Sequence, residues 1–405
     1  MTRSSIAAGL PVAVLTAQPL DGCLDYRAPD TGIAPGAYVE VPLGPRRVAG
    51  VVWGPGSGEW PVEKLRAIGR ELDLPPMRAE MRAFLERAAA YTLTPLPAML
   101  RLATRVPGLR DGAPMQRARR PGGAPPARMT DARTRVMDAL DAFDGQPVSA
   151  GELAEAAGVS GGVIRGLIDA GTISEDAAPR DTPFARLDPD GPGLALTDSQ
   201  VEAAAALRAK LVAGGYGTTL LQGVTGSGKT EVYLEAVAEI LRAGRQALVL
   251  LPEIALTREF LARVAARFGA RPAEWHSGVT QSARRRCWRM VAEGNASLVI
   301  GARSALFLPF QDLGLIVVDE EHDNAYKQED GVLYNARDMA VLRASLAGAH
   351  VVLASATPSL ESWANAESGK YDRLRLTARV GAARLPELQA IDLRSQDMPA
   401  QSWLS

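Results

Sequence analysis

The chain has 405 residues but only two cysteines, Cys23 and Cys287, which lie far apart in unlike segments. That excludes a disulfide framework and the Cys-x-x-Cys pairs of a zinc site within this chain. No apolar run approaches the roughly 18 residues of a membrane span. The start, Met1 to Pro11, holds one Arg and a brief apolar stretch, which falls short of a secretory signal. A reducing cytoplasm is the natural setting, and no membrane partner is expected. Net charge is only −1, so bulk electrostatics gives no support to nucleic-acid binding. Lysine is scarce: five of the 45 basic residues, the rest being arginine. Two of those five, Lys229 and Lys327, fall inside motifs.

What is present is a globular composition, 47% hydrophobic and 22% charged, in a chain long enough for roughly two to four domains. Val12–Leu15, Ala37–Val41 and Val48–Trp53 are short β-branched runs between Gly and Pro turns, which predicts a small β-rich domain. Helical segments follow around Met77–Tyr91. Residues 101–128 hold seven arginines against one acid, interleaved with Pro and Gly. By composition this is a linker, either a solvated basic tether or a phosphate-contacting strip. Arg133–Phe143 is an amphipathic helix. Glu152–Ala157, a turn at Gly158–Ser160 and Val163–Ile168 predict a helix-turn-helix, with a wing strand starting near Ile173. A winged helix serves DNA contact or protein interaction equally well. From Leu196 to Leu385 strands and helices alternate. Thr218–Leu221, Ala247–Leu251, Ser297–Ile300, Leu313–Val318 and His350–Leu353 are continuous apolar runs, the mark of buried parallel strands. The fold class is therefore multidomain α/β: a small β-rich N-terminal domain, a winged helix, then a RecA-like P-loop lobe with a parallel sheet.

Gly223, Val224, Thr225, Gly226, Ser227, Gly228, Lys229 and Thr230 fit G-x-x-x-x-G-K-[ST], after a strand and at the start of a helix. Glycines let backbone N–H groups turn onto phosphate oxygens at a helix N-terminus, whose dipole favours anions. Lys229 neutralises the β- and γ-phosphates of ATP, and Thr230 holds Mg²⁺. The apolar run Leu315–Val318 delivers Asp319 to the Mg²⁺ shell and Glu320 to the attacking water. The candidate catalytic set is Lys229, Asp319, Glu320 and His322. Leu353–Pro358 ends a strand in small hydroxyl residues; spaced after the acidic motif, it reads as the link between nucleotide state and DNA track. Gln200 either presents its amide to an adenine edge or belongs to a helix N-cap. Tyr326, Lys327, Tyr334 and Arg337 share a Gly-containing loop. Aromatic faces there stack on unpaired bases and cations hold phosphates, unless the tyrosines pack in the core.

Together these residues resemble the PriA family of superfamily 2 helicases, which restart replication. Further matching stretches are Leu251–Thr257, Trp275–Gly278, Gly301–Phe307 and Ser355–Glu361, several of which are not general helicase motifs. The front matches too, through Pro19–Leu20, Leu24–Tyr26, Val41–Gly44 and Gly50–Val52. The resemblance implies a 3′-end DNA-binding domain over 8–108, the basic Pro/Gly linker at 109–129, and the winged helix at 130–182. It also implies the ATP-binding lobe at 190–388, and at 389–405 the start of a connection to a second lobe. That lobe is expected to begin near Pro399 and to carry the family's zinc-binding Cys-x-x-Cys pairs. Asp25, Gly44 and Arg66 would line a pocket for a nascent 3′ end, and Leu24 stands where the family often has an aromatic. Arg303, Tyr326, Lys327, Tyr334 and Arg337 would contact DNA, with Leu333 replacing a usual basic residue. The implied activity is an ATP- and Mg²⁺-dependent 3′-to-5′ DNA helicase, monomeric and nucleoid-associated in a bacterial cytoplasm. Its implied partners are forked and single-stranded DNA, single-stranded-DNA-binding protein and primosome proteins. Two other readings stand beside it: a fork-DNA and nucleotide-binding module with little turnover, and a different superfamily 2 motor. The Tyr-Lys-Gln loop and the front domain argue against the last.

Overall fold

In the computed structural model, residues 5–109, 115–121, 128–143, 148–179 and 181–379 are described. The front of the chain forms an antiparallel sheet from Pro11–Thr16 (β1), Leu24–Arg27 (β2), Tyr38–Leu43 (β3), Arg46–Pro55 (β4) and Arg70–Glu71 (β5), in the order β2-β1-β4-β3-β5. Side chains alternate across a strand. Val12, Val14, Val39, Val41 and Val52 therefore fill one core, while Leu15, Tyr38 and Val51 point into another. That second core is shared with Ala79–Tyr91 (α1) and Leu96–Thr104 (α2).

Met115–Pro121 (β6) pairs antiparallel, residue by residue, with Ile173–Pro179 (β7). Part of the segment that composition marks as a linker is thus a strand. Its partners are backbone groups, so an arginine-rich stretch joins a ladder without any apolar pattern to announce it. Between the two strands come Asp131–Ala142 (α3), Ala150–Ala157 (α4) and Gly161–Asp169 (α5). Ser149 and Glu152 cap α4 reciprocally, with Ser149 N donating to Glu152 Oε2 at 3.0 Å and Glu152 N to Ser149 Oγ at 3.2 Å. Gly158, at φ 60°, ends that helix in the left-handed region. Val136, Leu153, Ile164 and Leu167 close a small core of their own.

The lobe runs Asp198–Ala213 (α6), Gly217–Gly223 (β8), Lys229–Arg242 (α7), Gln246–Leu250 (β9), Arg258–Phe268 (α8), Ala273–Trp275 (β10), Gln281–Ala292 (α9), Leu298–Gly301 (β11) and Leu313–Asp319 (β12). The small hairpin Lys327–Gln328 (β13) and Tyr334–Asn335 (β14) follows, then Ala336–Ala347 (α10), His350–Ser355 (β15), Leu360–Glu367 (α11) and Asp372–Leu376 (β16). Seven strands form one parallel sheet in the order β10-β11-β9-β12-β15-β8-β16. Its five inner strands are the five apolar runs seen in the sequence, buried on both faces by helices. The two edge strands, Ala-Glu-Trp and Asp-Arg-Leu-Arg-Leu, carry charge and so escape that signal. No helix among the described residues is long and apolar enough to cross a membrane.

Candidate nucleotide and DNA sites

The phosphate loop leaves β8 and enters α7 through Gly226 and Gly228, both at positive φ (78° and 77°). At Gly223 a Cβ would come within 2.4 Å of Ser227 Oγ, so only glycine lets the loop close on itself. Val224, Thr225 and Gly226 are exposed at the tip, while Ser227 and Lys229 are buried. Lys229 Nζ donates to Gly223 O at 2.9 Å, folding the ammonium across the loop. Ser227 Oγ is buried without a hydrogen-bond partner. A buried, unpaired hydroxyl beside a buried ammonium is costly unless an anion meets both, so the loop fits a bound triphosphate.

The strand end of β12 faces that loop. Asp319 Oδ2 accepts from Tyr233 OH at 2.9 Å, and its Oδ1 from Glu320 N at 3.0 Å. Burial, reinforced by the charge of Glu320, pushes the Asp319 carboxyl above the usual carboxylate range. Tyr233 also hydrogen-bonds Thr230, so one hydroxyl touches both residues expected to hold Mg²⁺. Burial raises the Tyr233 pKa well above its ordinary value, which keeps it a donor. Glu320 sits at φ 47°, a left-handed conformation rare outside glycine and typical of strain held at functional sites. Thr230, Asp319 and the Glu320 carboxylate are oxygen donors, the chemistry a hard divalent cation takes.

His322 and the strand exit of β15 are joined directly: Ser355 Oγ and His322 Nδ1 lie 2.8 Å apart, and Thr357 N donates to Ser355 Oγ at 3.0 Å. Glu320 Oε2 lies 3.6 Å from the same ring nitrogen. Glu321, fully buried, accepts from Ser359 N at 2.7 Å and from Ser359 Oγ and Ser362 Oγ at 2.9 Å each. The acidic motif therefore anchors the start of α11 as well as the nucleotide edge.

At four positions the structure places the side chain in packing or capping contacts rather than held out toward a ligand. Gln200 is buried, with Oε1 accepting from Thr197 N at 2.8 Å and Nε2 donating to Ser227 O at 2.9 Å. Its amide is spent on the helix cap and the phosphate loop, not held out toward an adenine edge. Tyr326 is buried, and its hydroxyl donates to Asp319 O at 2.6 Å and Leu250 O at 3.0 Å. Tyr334 is buried edge-on to Phe307 at 5.2 Å. Neither ring offers a face for bases; apolar burial of a large aromatic outweighs display on the surface. Arg337 is buried in an ion-pair network with Glu321, Asp338 and Glu361, and donates to Ser359 Oγ at 2.6 Å. Its charge is already matched, leaving none for a phosphate. Of the loop cations, Lys327 stays exposed, and Arg303 braces the loop by donating to Ala325 O at 2.9 Å and Lys327 O at 2.8 Å. Tyr233 and Glu321 escaped notice in the sequence. Tyr233 lies three residues after Thr230, on the same helix face, which was the available signal.

In the front domain, Asp25, Gly44 and Arg66 do converge, on an open cavity of about 320 Å³ between β2, the β3–β4 turn and the segment before β5. Ser57 donates to Asp25 through its N (2.9 Å) and Oγ (2.7 Å), and Arg66 Nη1 donates to Gly44 O at 3.2 Å. Gly44 turns at φ 58°. The Tyr26 hydroxyl closes the base by donating to Pro42 O at 2.9 Å.

Comparison with known proteins finds relatives of both segments. The DEAD/DEAH box helicase family matches residues 197–366, and the 3′ DNA-binding domain (3′BD) matches residues 12–105. Replication restart protein PriA of Haemophilus influenzae is 34% identical over 96% of this chain and 54% of its own length. PriA of Bacillus subtilis is 39% identical over 62% of this chain and 32% of that protein, and PriA of Rickettsia felis 48% identical over 46% and 29%. The chain thus spans at most about half the length of these relatives. With both domains present in one order, and one relative aligned along nearly every residue, this chain belongs to the PriA family of replication restart proteins.

Proposed function

We propose that this chain works in an ATP-dependent 3′-to-5′ DNA helicase that recognises stalled or recombined forks and begins primosome assembly. The observation carrying this reading is a continuous chain of contacts along the carboxyl edge of the parallel sheet. It runs from Thr230 through Tyr233 to Asp319 and Glu320, and on through His322 to Ser355, beside the Lys229 ammonium held on Gly223 O. Lys229 meets the phosphates, and Glu320 orients the water that attacks. Thr230 and Asp319 would hold Mg²⁺, which when bound would supply charge neutralisation at the transferring phosphoryl group. A change at Glu320 or His322 reaches Ser355 directly, which is how nucleotide state passes to the DNA-facing strand exits. The front cavity lined by Asp25, Gly44 and Arg66 takes a DNA 3′ end, and Lys327 with Arg303 lies along the strand track. Partners are forked and single-stranded DNA, single-stranded-DNA-binding protein and primosome proteins, met at the nucleoid in a bacterial cytoplasm.

The test is ATP hydrolysis by these 405 residues with and without forked DNA. DNA-stimulated turnover that falls by about 100-fold or more in Lys229→Ala is expected, because one charged donor at the phosphates is removed. Fork and nucleotide binding without turnover would instead make this chain a binding module, the second reading raised by its sequence.

A further inference from the structure

Trp60 lines the front cavity, and neither the sequence motifs nor the family match gives it a role. It is 60% exposed, the only tryptophan among the described residues that is exposed. An indole left in water forgoes a large burial gain. Exposed as a single residue this would mean little, but three further features single it out.

First, the segment is fixed. Gly56 N donates to Pro11 O at 2.9 Å, Ser57 is pinned to Asp25, and Glu59 N donates to Ser57 Oγ at 3.2 Å. Beyond Trp60, Pro61 caps the short turn Val62–Lys64, and Lys64 N donates to Pro61 O at 3.0 Å. A residue before proline is held in extended conformation, so the indole is presented by a braced loop. Second, the cavity's walls lack any other usable π-face. Leu24, Leu43 and Leu65 are aliphatic, and Tyr26 is buried with its hydroxyl spent on Pro42. Third, the cavity carries cations: Lys64 and Arg66 line it with Trp60 and are exposed. A flat apolar face beside two cations and a carboxylate suits a ligand with a planar ring, phosphates and a hydroxyl, which is a nucleotide.

We propose that Trp60 is the base-stacking residue of this cavity. The terminal base of a DNA strand lies on its indole, with Lys64 and Arg66 against the adjoining phosphates. This rests on the cavity being a 3′-end site. Stacking is tolerant of sequence because every base has a π-face, so binding at the end depends on a base being present rather than on which one.

The experiment measures affinity of the full 405-residue chain, without nucleotide, for a short single strand by fluorescence anisotropy. Three strands are compared: an ordinary 3′ end, an abasic 3′-terminal nucleotide, and a 3′ end blocked by phosphate. Trp60→Ala is expected to weaken binding of the ordinary strand about tenfold, and Trp60→Phe to stay within about threefold of the parent. On the abasic strand, Trp60→Ala and the parent bind equally. Parent-like binding of the ordinary strand by Trp60→Ala, or an equal loss on both strands, overturns the stacking role while leaving the end site intact. If the parent fails to distinguish free from blocked ends, the end-site reading fails and the proposal falls with it.

Discussion

Tyr233 joins the two residues that would hold Mg²⁺, and it does so from complete burial. Asp319 is already costly to keep ionised there, since burial raises its pKa. The Tyr233 hydroxyl offsets part of that cost by donating to Oδ2. Groups that orient a metal-binding carboxylate typically matter by about 10- to 100-fold in metal affinity. Tyr233→Phe keeps the ring in its core and removes only the donor. Its Mg²⁺ requirement for half-maximal ATP turnover is expected to rise about tenfold, with nucleotide binding in the absence of metal unchanged. A Mg²⁺ titration of steady-state hydrolysis decides it: curves that superimpose on the parent would leave Tyr233 a packing residue only. Asp319→Asn has a different signature. It removes a buried charge whose raised pKa disfavours the folded state at neutral pH, and it keeps an acceptor for Tyr233. Turnover should drop by about 100-fold or more, while the melting midpoint holds at or above the parent's.

At the scale of elements, β8 and β15 begin side by side, with Gly217 opposite His350. A Cβ at Gly217 would come within 2.8 Å of the His350 ring, so the glycine makes room for the imidazole. His350 is buried, shares a 2.9 Å hydrogen bond with Thr219 Oγ1, and faces the Lys210–Asp372 ion pair. Burial and the Lys210 charge push its pKa down to about 4, while Asp372 pulls the other way. A depressed histidine pKa means the unfolded chain binds the proton more readily. Stability from the neutral ring is therefore full above pH ~6.5 and is lost as pH falls toward ~4, amounting to roughly 3 kcal/mol. His350→Gln should flatten that limb in urea unfolding measured between pH 7 and 4, relative to the parent. An unchanged slope would locate the acid sensitivity elsewhere. The same strands explain what the sequence made legible. Inner strands are apolar on both faces and announce themselves; the phosphate loop and acidic motif follow from where those strands end. Edge strands β10 and β16 and the arginine-rich β6 are held by backbone pairing, which leaves no periodicity to find. For Tyr326, Tyr334 and Arg337 residue type and loop position left display and packing both open, because partners such as Phe307, Glu321 and Glu361 lie outside the loop. The front cavity is assembled from three separate stretches, so only family likeness pointed to Asp25, Gly44 and Arg66.

The whole molecule is organised by an apolar seam between front domain and motor lobe. One continuous core contains Leu15, Tyr38, Phe84 and Leu100 from the front together with Trp288, Phe307 and Tyr334 from the lobe. Trp288 stands at its centre, edge-on to Tyr38 at 5.6 Å, with its indole N–H donating to Ala103 O at 2.7 Å. Phe84 packs on Phe307 at 5.6 Å, and Arg289 Nη2 donates to Asp73 O at 3.0 Å nearby. A seam packed like an interior is not a hinge. It holds the front cavity at a fixed offset from the phosphate loop. The winged helix has its own core, apart from this seam. Trp288→Ala removes both the ring and the N–H bond, costing about 3–5 kcal/mol, most of it at the seam. Calorimetry should then show the joint transition of front domain and lobe in the parent split in two. A non-hydrolysable ATP analogue should raise only the component that belongs to the lobe, because ligand binding stabilises the unit that contains its site. Trp288→Phe, which keeps a ring against Tyr38, should melt as one transition at a slightly lower temperature. If Trp288→Ala also melts as one, or the analogue lifts both components equally, the two domains are coupled by contacts outside this seam.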